Sequence, residues 1–248
     1  MSDYYKIPRQ EAWNYGGKNW RLSRSKIDLF MECPRCFWLD NKLGIKRPPG
    51  FPFTLNSAVD ALLKKEFDKY RAEGKPHPIM VANGVDAVPF AHEKMDEWRD
   101  SLHAGVQFLH EPTGFLVSGG VDDVWVMPDG TLIVVDYKAT SKAEEIMALD
   151  KDWQEGYKRQ SEVYEWLLRK NGFKVSDTAY FVYANGDTEK DVFDNKLEFV
   201  TKLIPYTGSD KWVEPTLLEI KECLESEKMP EAGEECDYCA YREAIASA

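Results

Sequence analysis

Residues 114–140 read GFLVSGGVDDVWVMPDGTLIVVDYKAT, and the reading of this stretch decides the fold. Two runs rich in β-branched and aromatic residues flank Pro128-Asp129-Gly130, a strong hairpin signal. The second run is almost wholly apolar up to its charged end, which suits a central strand covered on both faces. Asp122 is expected on the first hairpin strand and Asp136 at the end of the second. Each lies about seven residues from the turn, so the hairpin sets the two acids nearly opposite one another. Asp136 and Lys138 are two apart and project from one face of their strand. Asp123 is expected to point to the face opposite Asp122.

That spacing brings two carboxylates and one ammonium to a single point. Cutting a phosphodiester requires an activated water, neutralisation of the pentacovalent charge and a stabilised leaving oxygen. Hard divalent cations held by carboxylates meet these needs, and Mg²⁺ typically takes only one or two carboxylates from a protein. A nearby lysine orients or deprotonates the attacking water and stabilises charge.

Outward from the hairpin, a helix is predicted over 153–170, ending at Asn171-Gly172. Its apolar stripe is Trp153, Tyr157, Tyr164, Leu167 and Leu168, with Gln160 inside it. Strands are predicted at 178–184 and 196–204, and a last helix over 210–227. Upstream, Ser23 and Ser25 are N-cap candidates for the apolar-periodic stretch IDLFMECPRCFWLDNKL. A helix is expected from Leu55 to Arg71, striped by Leu55, Val59, Leu62, Leu63, Phe67 and Tyr70. Residues 74–90 read as loop or short extended pieces, and 91–108 as a second helix. The element order implies a mixed α/β sheet flanked by helices. The chain is read as one domain over 1–248: an N-terminal arm with the first cysteine pair (1–50), a core (51–205), and a C-terminal helix with the second pair (206–248).

The composition is that of an ordinary globular protein, 43% hydrophobic and 30% charged. There is no run of 18 apolar residues and no apolar leader at the N-terminus, so the expectation is a cytoplasmic protein without a membrane partner. The net charge is −11, which at first sight disfavours nucleic acid. Yet residues 1–50 hold ten Lys/Arg against five Asp/Glu, so the excess acidity lies beyond them. A basic arm can contact phosphates, although a solvated surface explains the same residues. Tyr4, Tyr5, Trp13, Tyr15, Trp20, Arg21 and Arg24 in that arm suit base stacking and phosphate contact, or equally a packed arm with no ligand.

The succession G-G-V-D-D-V, a hairpin, V-V-D-Y-K-A-T and then Gln160-Ser161-Glu162-Val163-Tyr164 resembles the RecB-like branch of the PD-(D/E)XK nucleases. The stretch L-S-R-S-K-I-D-L-F-M-E-C-P-R-C-F-W-L looks like that branch's opening helix, CRISPR-associated members included. The resemblance covers most of the chain. It implies a restriction-endonuclease-like core that binds Mg²⁺ or Mn²⁺, with DNA as substrate. It makes Asp122, Asp136 and the backbone carbonyl of Tyr137 metal ligands and Lys138 the catalytic lysine. Gln160 and Tyr164 then line the site. Many relatives carry a metal-binding His on the helix before the hairpin, where this chain has Asp60. Glu66, at the centre of the apolar stripe, is the other candidate for the extra ligand. His77, His92, His103 and His110 have no clear claim.

Of five cysteines, Cys33-x-x-Cys36 and Cys236-x-x-Cys239 form paired motifs that read as a tetrathiolate metal site. The resemblance implies a 4Fe-4S cluster there, although spacing alone favours structural Zn²⁺ and the family's usual one-plus-three cysteine arrangement is not kept. Cys223 is read as a core thiol, with a place in the site instead of Cys36 as the alternative. The leading reading is a metal-dependent DNA nuclease, single-strand or end-directed. A helicase or other protein subunit would have to supply any unwinding. The alternatives are a non-catalytic nucleic-acid-binding component of a larger assembly, or a phosphoesterase acting on small substrates.

Overall fold

The computed structural model describes residues 9–50, 53–143 and 146–248. Along the chain run β1 (Leu22–Ser23), α1 (Arg24–Glu32), α2 (Pro34–Leu43), α3 (Thr54–Glu73), α4 (Pro78–Ala82), β2 (Val88–Pro89), α5 (Met95–Arg99) and β3 (Val106–His110). There follow β4 (Phe115–Gly119), β5 (Asp123–Val126), β6 (Leu132–Thr140), α6 (Glu155–Lys170), β7 (Thr178–Gly186), β8 (Phe199–Thr207), α7 (Val213–Glu225) and α8 (Asp237–Ala246). None of the helices among the described residues is long and apolar enough to cross a membrane.

The described residues divide into two compact units. One comprises 9–50, 108–118 and 211–248; the other comprises 53–107, 119–143 and 146–210. In the first, α1 and α2 pack on α7, and β1 runs parallel to β4. The apolar-periodic stretch around Cys33 forms two helices rather than one. Proline lacks a donor and disfavours helical backbone in the residue before it, so Cys33 is extended (φ −160°, ψ 100°) and caps α2 while Pro34 opens it.

The second unit is built on a five-stranded mixed sheet of order β2-β5-β6-β7-β8, in which β6 and β7 are parallel and the other pairs antiparallel. β6 is central and its first six residues are buried, as its apolar run requires. Ile133, Val135 and Tyr137 alternate onto one face and join Phe67 of α3, Trp125 and Val182 in a core cluster. The hairpin between β5 and β6 turns at Gly130, whose φ of +81° favours glycine.

Several local expectations are corrected. Residues 91–108 hold only the short α5 before the chain turns into β3. Gly105 ends that segment with φ +81°, in the left-handed region that a right-handed helix does not use. The first half of the expected hairpin is two strands, because β4 pairs with β1 and β3 while β5 pairs with β6. The loop over 74–90 contains α4 and β2, and the tail forms α8. On α3, Val59 and Phe67 are buried but Leu55 and Leu62 are exposed, so the buried stripe is narrower than the apolar one.

One residue of α6 sits in an unusual environment. Glu165 is fully buried, and neither carboxyl oxygen has a hydrogen-bond partner among the described residues. Its nearest cation is Arg169, at 3.7 Å. Burial pushes its carboxyl up to about 8; Arg169 opposes this, and Glu162, Asp177 and Asp210 add to it. The folded state therefore keeps a proton that the unfolded chain releases near pH 4.5. The contribution of this group to stability is fully present below that pH and is lost as pH rises toward 8. Glu165→Gln should flatten this dependence and raise stability at pH 8 by up to about 4 kcal/mol, read from urea midpoints at several pH values. Parallel curves for the two proteins would refute it.

Candidate active site

The register of β5 on β6 pairs Val126 with Leu132 and Asp123 with Val135. One step further along, Asp122 stands opposite Asp136, as the hairpin spacing predicts, although Asp122 lies just before β5 rather than within it. Its Oδ2 accepts the backbone N–H of Tyr137 at 3.0 Å. Its Oδ1 lies 3.2 Å from the Lys64 ammonium, which also contacts Asp60 at 2.9 Å. Burial works against the charge on Lys64, but Asp122 and Asp60 outweigh it and hold its pKa above the usual value. An ammonium seated between two carboxylates marks a place suited to a cation.

Asp136 is 1% exposed, and its Oδ2 contacts the Lys138 ammonium. Burial of Lys138 disfavours its charge, yet the Asp136 carboxylate raises its pKa, so the group is an ammonium at neutral pH. Gln160 of α6 ties the pair together. Its Nε2 donates to Asp136 Oδ1 at 2.7 Å and to the Tyr164 hydroxyl at 3.1 Å, while its Oε1 accepts from Lys138 at 3.4 Å. Gln160 and Tyr164 are one helical turn apart and so share a face. The Tyr164 ring fits because residue 119 is glycine, where a Cβ would meet the ring at 2.6 Å. The cleft in front of these groups is lined by Asn56, Asp60, Asp122, Tyr137, Lys138 and Tyr157, among others.

The model of the PD-(D/E)XK nuclease superfamily matches residues 21–244. The chain belongs to this superfamily. A search of curated proteins finds no match. Members of the PD-(D/E)XK superfamily are generally nucleases that hydrolyse phosphodiester bonds with divalent metal ions. The carboxylates of this cleft suit such an ion in chemistry, being hard oxygen donors.

Of the residues singled out in the sequence, Asp60, Asp122, Asp136, Tyr137, Lys138, Gln160 and Tyr164 all belong to this neighbourhood. Glu66 does not. Its side chain is 54% exposed and bonds His77 at 3.0 Å, so it is no buried ligand of the cleft. The helix turns it away because the buried stripe of α3 runs through Val59 and Phe67. Sequence reasoning missed Lys64, although its place one turn after Asp60 was the signal. It also passed over Tyr157 as a cleft residue; the Lys138 ammonium lies 4.2 Å from its ring centroid.

Asp123 performs a different task on the other face. It is fully buried and contacts Arg71 and Arg99, and it accepts the Tyr137 hydroxyl at 2.7 Å. Its charge is therefore matched by two guanidinium groups and a phenol.

The cysteine pairs meet in the first unit. Cys36 Sγ lies 3.6 Å from Cys236 Sγ and 3.7 Å from Cys239 Sγ, and Cys33 Sγ lies 3.8 Å from Cys239 Sγ. All four are buried and their sulfurs lie within 4.8 Å of one another. Among the described residues this is the one such cluster of possible metal ligands. Burial opposes ionisation of Cys33, but the N–H groups of Gly233 and Cys36 outweigh it and bring its thiol down to about 6. Arg47 donates to Cys236 Sγ at 3.4 Å. Cys223 stands apart, its thiol pushed up to about 11 by burial.

In the N-terminal arm, Tyr15, Trp20 and Phe115 pack edge to face, with centroids 5.1–6.2 Å apart, while Trp13 is half exposed. The Lys26 ammonium donates to the Arg21 carbonyl, and Arg24 pairs with Asp28 at 3.8 Å. Tyr4 and Tyr5 lie outside the described residues. The packed reading of the arm thus describes Tyr15 and Trp20.

The neighbouring acids 122 and 123 should separate in experiment. Asp123→Asn removes the buried carboxylate from two guanidinium groups, which then keep only Asp68, and should cost about 3 kcal/mol in a urea unfolding curve. Asp122→Asn removes a partly exposed pair and should change stability by less than about 1 kcal/mol. Equal losses would contradict the division between structural and cleft acids.

Proposed function

We propose that this protein is a divalent-metal-dependent nuclease that hydrolyses DNA, on single strands or at ends, and that it belongs to the RecB-like branch of its superfamily. The observation that carries the reading is the buried Asp136 carboxylate held between Lys138 and Gln160, with Asp122 across the hairpin. Asp122, Asp136 and the Tyr137 carbonyl would hold Mg²⁺ or Mn²⁺, with Asp60 as the further carboxylate. When bound, the ion supplies Lewis-acid activation of water and neutralises phosphate charge.

The chain's own groups then divide the work. The Lys138 ammonium faces the reacting phosphate and stabilises the negative charge that develops on it. Gln160 fixes both Lys138 and Asp136 through one amide, and Tyr164 accepts the second hydrogen of that amide and so sets its orientation. The Gln160–Tyr164 spacing and the joining of N- and C-terminal cysteines support the RecB-like assignment. The reading places the protein in the cytoplasm, where thiols stay reduced. A helicase or other protein subunit would supply the unwinding that the chain itself has no motif for. The net charge of −11 favours a second reading, a non-catalytic component whose partner brings the basic surface.

The sulfur spacing bears on the second metal. Four thiolates about 2.3 Å from one tetrahedral zinc ion stand about 3.8 Å apart. The observed 3.6–3.8 Å contacts match that geometry. In a four-iron cluster each thiolate binds a different iron, so the sulfurs stand farther apart than these do. The cysteine site is accordingly read as structural Zn²⁺, with a 4Fe-4S cluster as the alternative.

End-labelled single- and double-stranded DNA should be cut in Mn²⁺ or Mg²⁺ but not in EDTA, and the cutting should vanish in Lys138→Ala. Folded, metal-loaded protein that leaves both substrates intact would favour the binding component. Metal analysis should return one zinc per chain, with no broad visible absorption after anaerobic reconstitution with iron and sulfide. Stoichiometric iron and sulfide uptake would instead establish the cluster.

A further inference from the structure

The cleft ends on an aromatic pair that the hydrolytic groups do not use. Trp153 lies on the single 3-10 turn Asp152–Gln154, directly before α6, and Tyr157 lies one turn later. Their rings meet edge to face, with centroids 5.7 Å apart. Tyr157 lines the cleft beside Asp60, Asp122 and Lys138, whereas Trp153 is 48% exposed. Each ring carries an ammonium: Lys138 at 4.2 Å from the Tyr157 centroid and Lys142 at 4.0 Å from that of Trp153. The row thus runs Lys138, Tyr157, Trp153, Lys142 outward from the reacting centre, two touching rings with an ammonium at each end.

The row is held from behind. Gln154 is buried, and its Oε1 accepts the Lys151 N–H at 3.0 Å, which fixes the turn that carries Trp153. Asn185, near the end of β7, clamps the backbone of residue 142. It accepts the Lys142 N–H at 2.8 Å and donates to the Lys142 carbonyl at 2.9 Å. The backbone is therefore anchored at both positions while the indole stays open to solvent. One exposed aromatic is ordinary on a protein surface. An exposed indole with an ammonium on its ring, joined through Tyr157 to a hydrolytic centre with its own ammonium, suits one class of ligand. Nucleobases stack on aromatic rings, and the phosphates between them take up the ammonium groups. In a duplex the bases are stacked on one another and their faces are closed to such a ring. An unpaired strand offers a face to Trp153 and a phosphate to Lys142 in the same step.

We propose that Trp153, Tyr157 and Lys142 form a stacking platform for an unpaired nucleotide beside the scissile phosphate, which makes single-stranded nucleic acid the preferred substrate. The proposal rests on the nuclease reading for what happens at the adjacent carboxylates, but its own claim concerns binding.

The test is fluorescence anisotropy with labelled oligothymidylate and with a blunt duplex. It is run in Ca²⁺ to separate binding from cutting, on wild type, Trp153→Ala, Trp153→Phe and Lys142→Ala. Trp153→Ala should weaken oligothymidylate binding about 10-fold and leave duplex binding within about twofold. Trp153→Phe, which keeps a ring, should restore most of the affinity. Lys142→Ala should lower the salt dependence of binding, which a merely structural role would not do. Circular dichroism melts of the four proteins establish that each is folded. Unchanged oligothymidylate affinity in Trp153→Ala, equal losses on both substrates, or no oligothymidylate binding by wild type would each overturn the platform. Cleavage in Mn²⁺ is scored beside these measurements. Binding that depends on Trp153 without any cutting would retain the platform and remove the nuclease reading. Cutting that is indifferent to Trp153 would do the reverse.

Discussion

Val126 pairs with Leu132 and Asp123 with Val135 across the β5–β6 hairpin, and a slip of one residue would exchange the faces of every side chain on one of these strands. Two different sets of groups hold the register. On one face Ile133, Val135 and Tyr137 fill the core beside Phe67 and Trp125, and Asp123 lies buried against Arg71, Arg99 and the Tyr137 hydroxyl. On the other face Asp136 and Lys138 meet Gln160. The buried charge of Asp123 is tolerable only in the paired register, because elsewhere it would lose both guanidinium partners. The geometry of the cleft is thus enforced from behind the sheet.

The cleft itself shows how close charges are kept apart or together. Asp122 and Asp136 stand opposite one another, and each is given its own ammonium, Lys64 and Lys138 respectively. Lys64 also draws in Asp60 from α3, so helix and hairpin share a charge network. Gln160 adds a neutral amide that satisfies an acid, an ammonium and a phenol together. Such an arrangement is organised before any substrate arrives, which is where electrostatic catalysis gains its advantage.

The first unit is organised by a different principle. Its described residues come from both ends of the chain and one short middle segment, and the four cysteines lie in the outer two of these. The thiols are buried beside Leu29 and Ala232, where unligated polar groups would gain little. Against burial, the N–H groups of Cys36 and Gly233 lower the thiol pKa of Cys33, whereas burial and the neighbouring sulfurs raise those of Cys36 and Cys239. A cation held here would compensate thiolates at van der Waals separation and couple its binding to the folding of this unit.

The amino-acid sequence by itself determined the hairpin, the central strand and the grouping of Asp122, Asp136 and Lys138, because strand alternation and turn chemistry are local rules. The same holds for Gln160 and Tyr164, whose four-residue spacing gives one helix face. The paired cysteine motifs were legible for the same reason. What lies beyond local rules was decided by tertiary structure. The split of β4 from β5 depends on which strands are available as partners. Glu66 and Asp60 are both plausible ligands on a helix drawn alone. Only the packing of Val59 and Phe67 against the sheet turns Asp60 toward Asp122 and Glu66 toward His77. The meeting of the four sulfurs is likewise a matter of distances between segments some 200 residues apart in the chain, and no spacing along the sequence contains them.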